Sequence, residues 1–236
     1  SQRSIVLSEV PFANLDDLKF TSFTAGGQER DASLIPMWGV KTVKMDFRTD
    51  DLYDLETIYV LRAMAKIEVK LGALLQEQGY SLTRMSISNT NPQGYCLPGE
   101  AGNIGYTEGL SLNSCFRDLG IGTYVSPAVI SDLGSSSLVM YVPEKNNTSD
   151  SEEPSTLSLR LNYIDGNGVT TSIEPADQIH FVNYVSGQPS GDAYDIIRNH
   201  SYVFEINNIL TEVDGLKFLV TIKDLEEGGS YGFVYN

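Results

Sequence analysis

Apolar and polar residues alternate through most of the chain. In Thr156–Ile164, Leu157, Leu159, Leu161 and Tyr163 fall on one face and Ser158, Arg160 and Asn162 on the other. This is the period of a half-buried antiparallel strand. The turn Asp165-Gly166-Asn167-Gly168 follows, then the run Val169–Ile173. Asp-Gly and Asn-Gly accommodate positive φ, so the two runs predict a hairpin. Tyr202–Ile206 and Leu216–Ile222 alternate in the same way, with Asp214-Gly215 just ahead of the second run, and predict another pair of joined strands. Ser4–Val10, Leu18–Thr24, Thr42–Phe47, Leu138–Val142 and Gln178–Val185 are further strand candidates. Val60–Leu71 reads as one long strand with a bulge. In Ser81–Ser88 the apolar Leu82, Met85 and Ile87 do not alternate cleanly, so its register is open. Ala73–Gln78 predicts the one short helix, ended by Gly79.

Strands without crossover helices leave sandwiches or barrels. The number of short strands fits two small β-sandwiches in tandem. Asn89–Gly122 is rich in glycine and predicts long loops, and Lys145–Ser155 is a polar, acidic surface loop. A composition shift over Ser126–Ser137 suggests a boundary, giving an N-terminal domain over residues 1–132 and a C-terminal domain over 133–236. No repeat of fixed period occurs.

Charge changes the picture of partners. The chain has 236 residues with 16 Lys plus Arg against 31 Asp plus Glu, a net charge of −15. Such a balance argues against nucleic acid and against an anionic membrane surface, and no apolar run is long enough to span a bilayer. The chain begins at Ser1 rather than Met and reads as a processed or truncated product. His180, His200, Cys96 and Cys115 lack the paired spacing of a zinc site, and no nucleotide-binding or hydrolase motif is present. Asp46, Asp50, Asp51, Asp54 and Glu56 cluster, but without a calcium-loop signature they read as a solvated loop. Neither histidine can be tied to a nucleophile. The expectation is therefore a chain without catalysis, metal or cofactor. Cys96 and Cys115 either close a 20-residue loop by a disulfide, worth ~3 kcal/mol in the loop-entropy picture, or remain buried thiols. Trp38 is a core anchor or a sugar platform.

Several stretches taken in order carry a resemblance. They are Leu34–Gly39, Leu61–Val69 (Leu-Arg-Ala-Met-Ala-Lys-Ile-Glu-Val), Met85–Pro98, Met140–Asn146 (Met-Tyr-Val-Pro-Glu-Lys-Asn) and Ile197–Ile206 (Ile-Arg-Asn-His-Ser-Tyr-Val-Phe-Glu-Ile). Together they resemble the Bacteroides-type fimbrillin family, the type V pilins with their anchor and tip relatives. The resemblance implies an all-β chain of two tandem transthyretin-like β-sandwich domains. It implies a fimbrial subunit at the cell surface or outer membrane, exported as a lipoprotein and serving adhesion. Its partners would be other fimbrial subunits, joined by donor-strand exchange after an arginine-specific protease trims the N-terminus. Arg3 and Arg30 are the candidate trimming sites. A donor strand needs apolar residues at every second position. Tyr231, Phe233 and Tyr235 meet that need, as do Leu216, Phe218, Val220 and Ile222, which read more simply as an internal strand. Removal of Ser4–Val10 would then open a groove for the next subunit. The alternative is a surface glycan-binding module, resting on the 13 tyrosines and Trp38.

Overall fold

The structure is a computed structural model that describes residues 18–21, 35–39, 60–99, 128–148, 153–185, 188–212 and 215–227. In chain order the elements are β1 (Lys19–Thr21), β2 (Met37–Trp38), β3 (Leu61–Arg62), β4 (Ala65–Leu71), α1 (Ala73–Glu77), β5 (Tyr80–Ser88), β6 (Gln93–Tyr95), β7 (Ala128–Ser135), β8 (Ser137–Val142), β9 (Thr156–Ile164), β10 (Thr170–Ile173), β11 (Ile179–His180), β12 (Asn183–Val185), β13 (Gln188–Ser190), β14 (His200–Glu212) and β15 (Gly215–Glu227). The chain is built from strands, as the alternation predicts, and α1 is the one helix among the described residues. No helix among them is long and apolar enough to cross a membrane.

Two sheets enclose the core. The first runs β10-β9-β5-β7, with β11 also paired to β9; the second runs β15-β14-β4-β8. Their pairings are antiparallel except that of β4 with β14, which is parallel, with Ile67 opposite Tyr202, Val69 opposite Phe204 and Leu71 opposite Ile206. Short ladders join β1 to β6, β2 to β3 and β12 to β13. Parallel neighbours need a long connection; here the first sheet itself lies between β4 and β14 in the chain. The second sheet turns Ile67, Val69, Met140, Val142, Phe204 and Ile206 inward, and the first turns Leu82, Met85, Ile87, Leu157, Leu159 and Leu161 to meet them. Phe181 sits between, edge-on to Phe204 at 5.4 Å and to Tyr202 at 5.7 Å, the arrangement in which ring edges meet ring faces.

Local departures from the sequence reading have local causes. The irregular β5 contains a bulge: Leu82 pairs with Leu161 and Arg84 with Arg160, leaving Thr83 as the extra residue. One inserted residue reverses the phase, so Leu82, Met85 and Ile87 all face inward. The run Val60–Leu71 is not continuous, because Ala63 and Met64 bend between β3 and β4. Their backbone groups bond elsewhere, Ala63 N–H to Pro36 O and Met64 O to Asn199 N–H. Gln178–Val185 splits into β11 and β12 where Phe181 turns into the core. The helix ends as read: Gly79 takes φ +88°, and a Cβ there would lie 2.6 Å from Ile164 O.

The boundary expected between residues 132 and 133 falls inside β7. Strands from both sides of it make up each sheet, and their side chains share one core. With only Ser136 between β7 and β8, the chain passes there from the first sheet to the second, and Ser136 O is held by Leu71 N–H.

Phe204, 1% exposed, fills the contact between the sheets. Phe204→Ala is expected to cost about 3–5 kcal/mol, read as a lowered midpoint in urea unfolding.

Candidate functional site: a buried polar clasp and the sheet edges

The charged residues that the strand pattern leaves unexplained converge in the interior. Glu144 follows β8 after Pro143, and Arg198 lies two residues before β14. Both are buried, Arg198 completely. Arg198 Nη2 donates to Glu144 Oε2 at 2.6 Å, and the Arg198 backbone N–H donates to Oε1 at 3.2 Å. Nη2 also reaches Tyr95 O at 3.1 Å and Nη1 reaches Cys96 O at 3.3 Å, while the buried Nε has no acceptor among the described residues. The Asn91 side-chain amide donates to Glu144 O. A buried charge is tolerated when it is paired and hydrogen-bonded; here each charge meets its opposite and further polar groups.

The same segments are stitched on either side of the pair. Lys145 and Ile196 exchange backbone bonds of 3.0 and 2.9 Å. The Asn147 side chain donates to Tyr194 O at 2.9 Å and accepts Ser155 N–H at 3.0 Å. Asp195 Oδ1 accepts Asn147 N–H at 2.8 Å and Thr148 N–H at 3.1 Å. Tyr202 Oη donates to Asp195 O at 2.5 Å and accepts Ile197 N–H at 3.0 Å, closing the entry to β14. Burial pushes the Tyr202 hydroxyl well above the usual phenol range. The Ile197 N–H opposes that rise, and the negative charges of Asp195 and Glu144 add to it. Asn199 adopts φ +61°, a conformation that Asn tolerates better than most residues. This lets its N–H reach Met64 O at 2.9 Å.

Thus Met64, Tyr95, Cys96, Glu144 and Arg198, drawn from four of the five stretches that carry the family resemblance, meet at one clasp. The fifth is tied on through Pro36 O and Ala63 N–H, 2.8 Å apart. The arrangement neutralises its own charges and joins chain segments; nothing in it forms a nucleophile with a base. Sequence reasoning quoted these residues as motif letters but did not assign Glu144 and Arg198 a site. The available signal was an acidic and a basic residue, each flanking a strand of strict alternation.

The residues singled out beforehand are placed as follows. Arg3, Arg30, Tyr231, Phe233 and Tyr235 lie outside the described residues, as do Cys115, Ser4–Val10, Thr42–Phe47 and the acidic cluster of Asp46, Asp50, Asp51, Asp54 and Glu56. Leu216, Phe218, Val220 and Ile222 lie in β15, whose backbone pairs with β14. Cys96 is a free thiol; burial pushes its pKa up, against the neighbouring Arg198 charge. Trp38 is half-buried in β2, opposite Leu61. His180 has its N–H bonded to Tyr184 Oη at 2.6 Å, and His200 Nδ1 lies 3.0 Å from Arg198 O. Among the described residues no group of three metal-ligating side chains occurs.

The sheet ends offer the other surface with distinctive chemistry. Among the described residues β7 and β8 each have a strand neighbour on one side only, as do β10 and β15. Unpaired edges are templates for further pairing. In β7, Ser131 and Ser135 oppose Arg84 and Leu82, so Asp132, Leu133 and Gly134 bulge outward. Leu133 is fully exposed at the tip, and Asp132 Oδ1 accepts Gly134 N–H at 3.2 Å.

No family model and no curated protein matches the chain. Among solved structures, it is similar to the C-terminally truncated tip fimbrial protein Mfa3 of Porphyromonas gingivalis, at 16% identity and a TM-score of 0.37, over 70% of this chain and 52% of that one. It is similar also to a candidate cell adhesion protein of Bacteroides uniformis, at 12% identity and a TM-score of 0.38, over 72% and 52%. A third, from Bacteroides eggerthii and of the same description, gives 12% identity and a TM-score of 0.43 over 92% and 72%. The chain spans about half the length of the first two. Likeness at this level assigns neither an activity nor a partner.

Glu144→Gln removes the counter-charge of a buried guanidinium and is expected to cost about 3–5 kcal/mol. Combined with Arg198→Met it should recover part of that loss, read as non-additivity of urea midpoints. The Tyr202 hydroxyl stays protonated in the fold above the pH at which it ionises when unfolded. Its contribution is therefore complete below the ordinary value of 10.0 and declines as pH rises through it. Tyr202→Phe should lose roughly 1–3 kcal/mol at neutral pH and show a shallower alkaline decline in thermal midpoint than the parent chain.

Proposed function

We propose that the chain is a fimbrial-type subunit of the bacterial cell surface, serving adhesion and joining other fimbrial subunits by β-strand exchange. The observation that carries this reading is the clasp. Four of the five stretches that resemble fimbrillins, scattered from residue 61 to residue 206, meet around the Glu144–Arg198 pair within a two-sheet β-sandwich. Random letter matches have no reason to share one buried node. The tandem of transthyretin-like sandwiches, export as a lipoprotein, an outer-membrane site and the absence of catalysis belong to the same proposal.

In this reading the exchanged strand supplies main-chain hydrogen bonds for affinity and alternate side chains for register. Tyr231, Phe233 and Tyr235 are assigned as the donor, and Arg3 or Arg30 as the point where trimming frees an acceptor groove. β15 already pairs with β14 along its length, so Leu216, Phe218, Val220 and Ile222 are assigned an internal role.

Treatment with an arginine-specific protease, followed by light scattering, tests this directly. Trimmed chain is expected to grow into polymers. Growth should stop when residues 230–236 are deleted, and when Arg3 and Arg30 are both replaced by Gln. Chain that stays monomeric after cleavage at either arginine would overturn the reading. A second reading, a glycan-binding module, is favoured by the half-buried state of Trp38. Glycan-array binding that Trp38→Ala abolishes would replace the first with the second.

A further inference from the structure

The outer face of the first sheet carries an arginine that meets no counter-charge among the described residues. Because Met85 and Leu159 face the core, Arg84 and Arg160 face outward, directly opposite each other across β5 and β9. Directly opposed residues place their Cβ atoms about 5 Å apart, where like charges repel. Arg160 is neutralised by Glu174, with which it forms an ion pair. Arg84 makes no ion pair or hydrogen bond among the described residues, and its Nε is buried without a partner. In a chain of net charge −15, a half-buried guanidinium that meets no carboxylate is out of place.

The surroundings are hydroxyls. Ser131 lies opposite Arg84 on β7. Ser86 and Ser158 form the next row, with Ser86 Oγ donating to Ser158 O at 3.4 Å. Thr83 Oγ1 donates to Arg160 O at 3.1 Å, and Asn162 stands one step beyond on the same face. The nearest β7 carboxylate, Asp132, is turned to Gly134 N–H. These hydroxyl oxygens keep free lone pairs.

We propose that Arg84 marks a binding site for a sugar acid, its guanidinium forked onto the carboxylate and the Ser131 and Ser158 hydroxyls meeting the ring hydroxyls. Charge selects this occupant. A polyacidic peptide or an anionic lipid surface brings many negative charges to a chain already at −15 and is repelled. A single carboxylate matches the Arg84 guanidinium, and guanidinium–carboxylate pairs are the strong, directional kind. The site stands apart from Trp38 and from the strand-exchange reading, and neither stands or falls with it.

The probes are glucuronic acid, its uncharged methyl ester, acetate and octaglutamate, each titrated into the full chain and followed by NMR. Glucuronate is expected to bind, the ester about tenfold more weakly. Arg84→Gln should reduce glucuronate binding to the level of the ester while leaving the thermal midpoint unchanged or raised. That midpoint separates loss of a site from loss of the fold. The proposal is overturned if glucuronate does not bind, if ester and acid bind alike, or if Arg84→Gln binds as the parent does. Acetate binding as tightly as glucuronate overturns the saccharide, leaving a carboxylate contact only. Tighter binding of octaglutamate overturns it in favour of an acidic peptide.

Discussion

A guanidinium taken wholly out of water has to be met by an opposite charge and by further hydrogen-bond acceptors. In this protein that demand governs how the chain closes. Arg198 meets Glu144, 54 residues away, and the Tyr95 and Cys96 carbonyls, more than 100 residues away. Tyr95 ends β6, which pairs with β1; Cys96, Glu144 and Arg198 lie just outside strands, where backbone groups would otherwise go unpaired. The pair thus turns loose ends of the sandwich into a shared interior, and Tyr202, Asp195 and Asn147 extend it.

The core and the clasp depend on each other through β14. Tyr202, Phe204 and Ile206 lie in register with Ile67, Val69 and Leu71 of β4, a parallel pairing that local turns cannot set. Arg198 and Asn199 fix where β14 begins, the first through Glu144 and the second through Met64 O. A slip of one residue would turn Phe204 away from Phe181 and expose the whole row. A buried ion pair is weak evidence for net stability, and its clearer role here is to select one register.

The surface divides by charge and by edge. The acidic majority keeps polyanions at a distance. Arg84 is the local exception, set among hydroxyls on a sheet face rather than at an edge. The edges offer backbone pairing, and β7 disrupts its own with the Asp132–Gly134 bulge. A bulge of this kind limits unguarded edge-to-edge association.

Where side chains answer only to the pleat of their own strand, the sequence alone was enough. Thr156–Ile164 alternates as read and turns at Asp165, whose Oδ1 accepts the N–H groups of Asn167 and Val169. The short helix ends at Gly79 because only glycine fits beside Ile164 O. Where an outcome depended on a distant partner, tertiary structure decided it. The phase change at Thr83 is visible only against Arg160 and Leu161. That the chain passes from one sheet to the other at Ser136 is visible only in the strand order. Glu144 and Arg198 are only motif letters in the sequence, and the fold alone brings them together out of water. Alternation is written in neighbours along the chain, whereas pairing, burial and charge compensation belong to residues that meet only once it has folded.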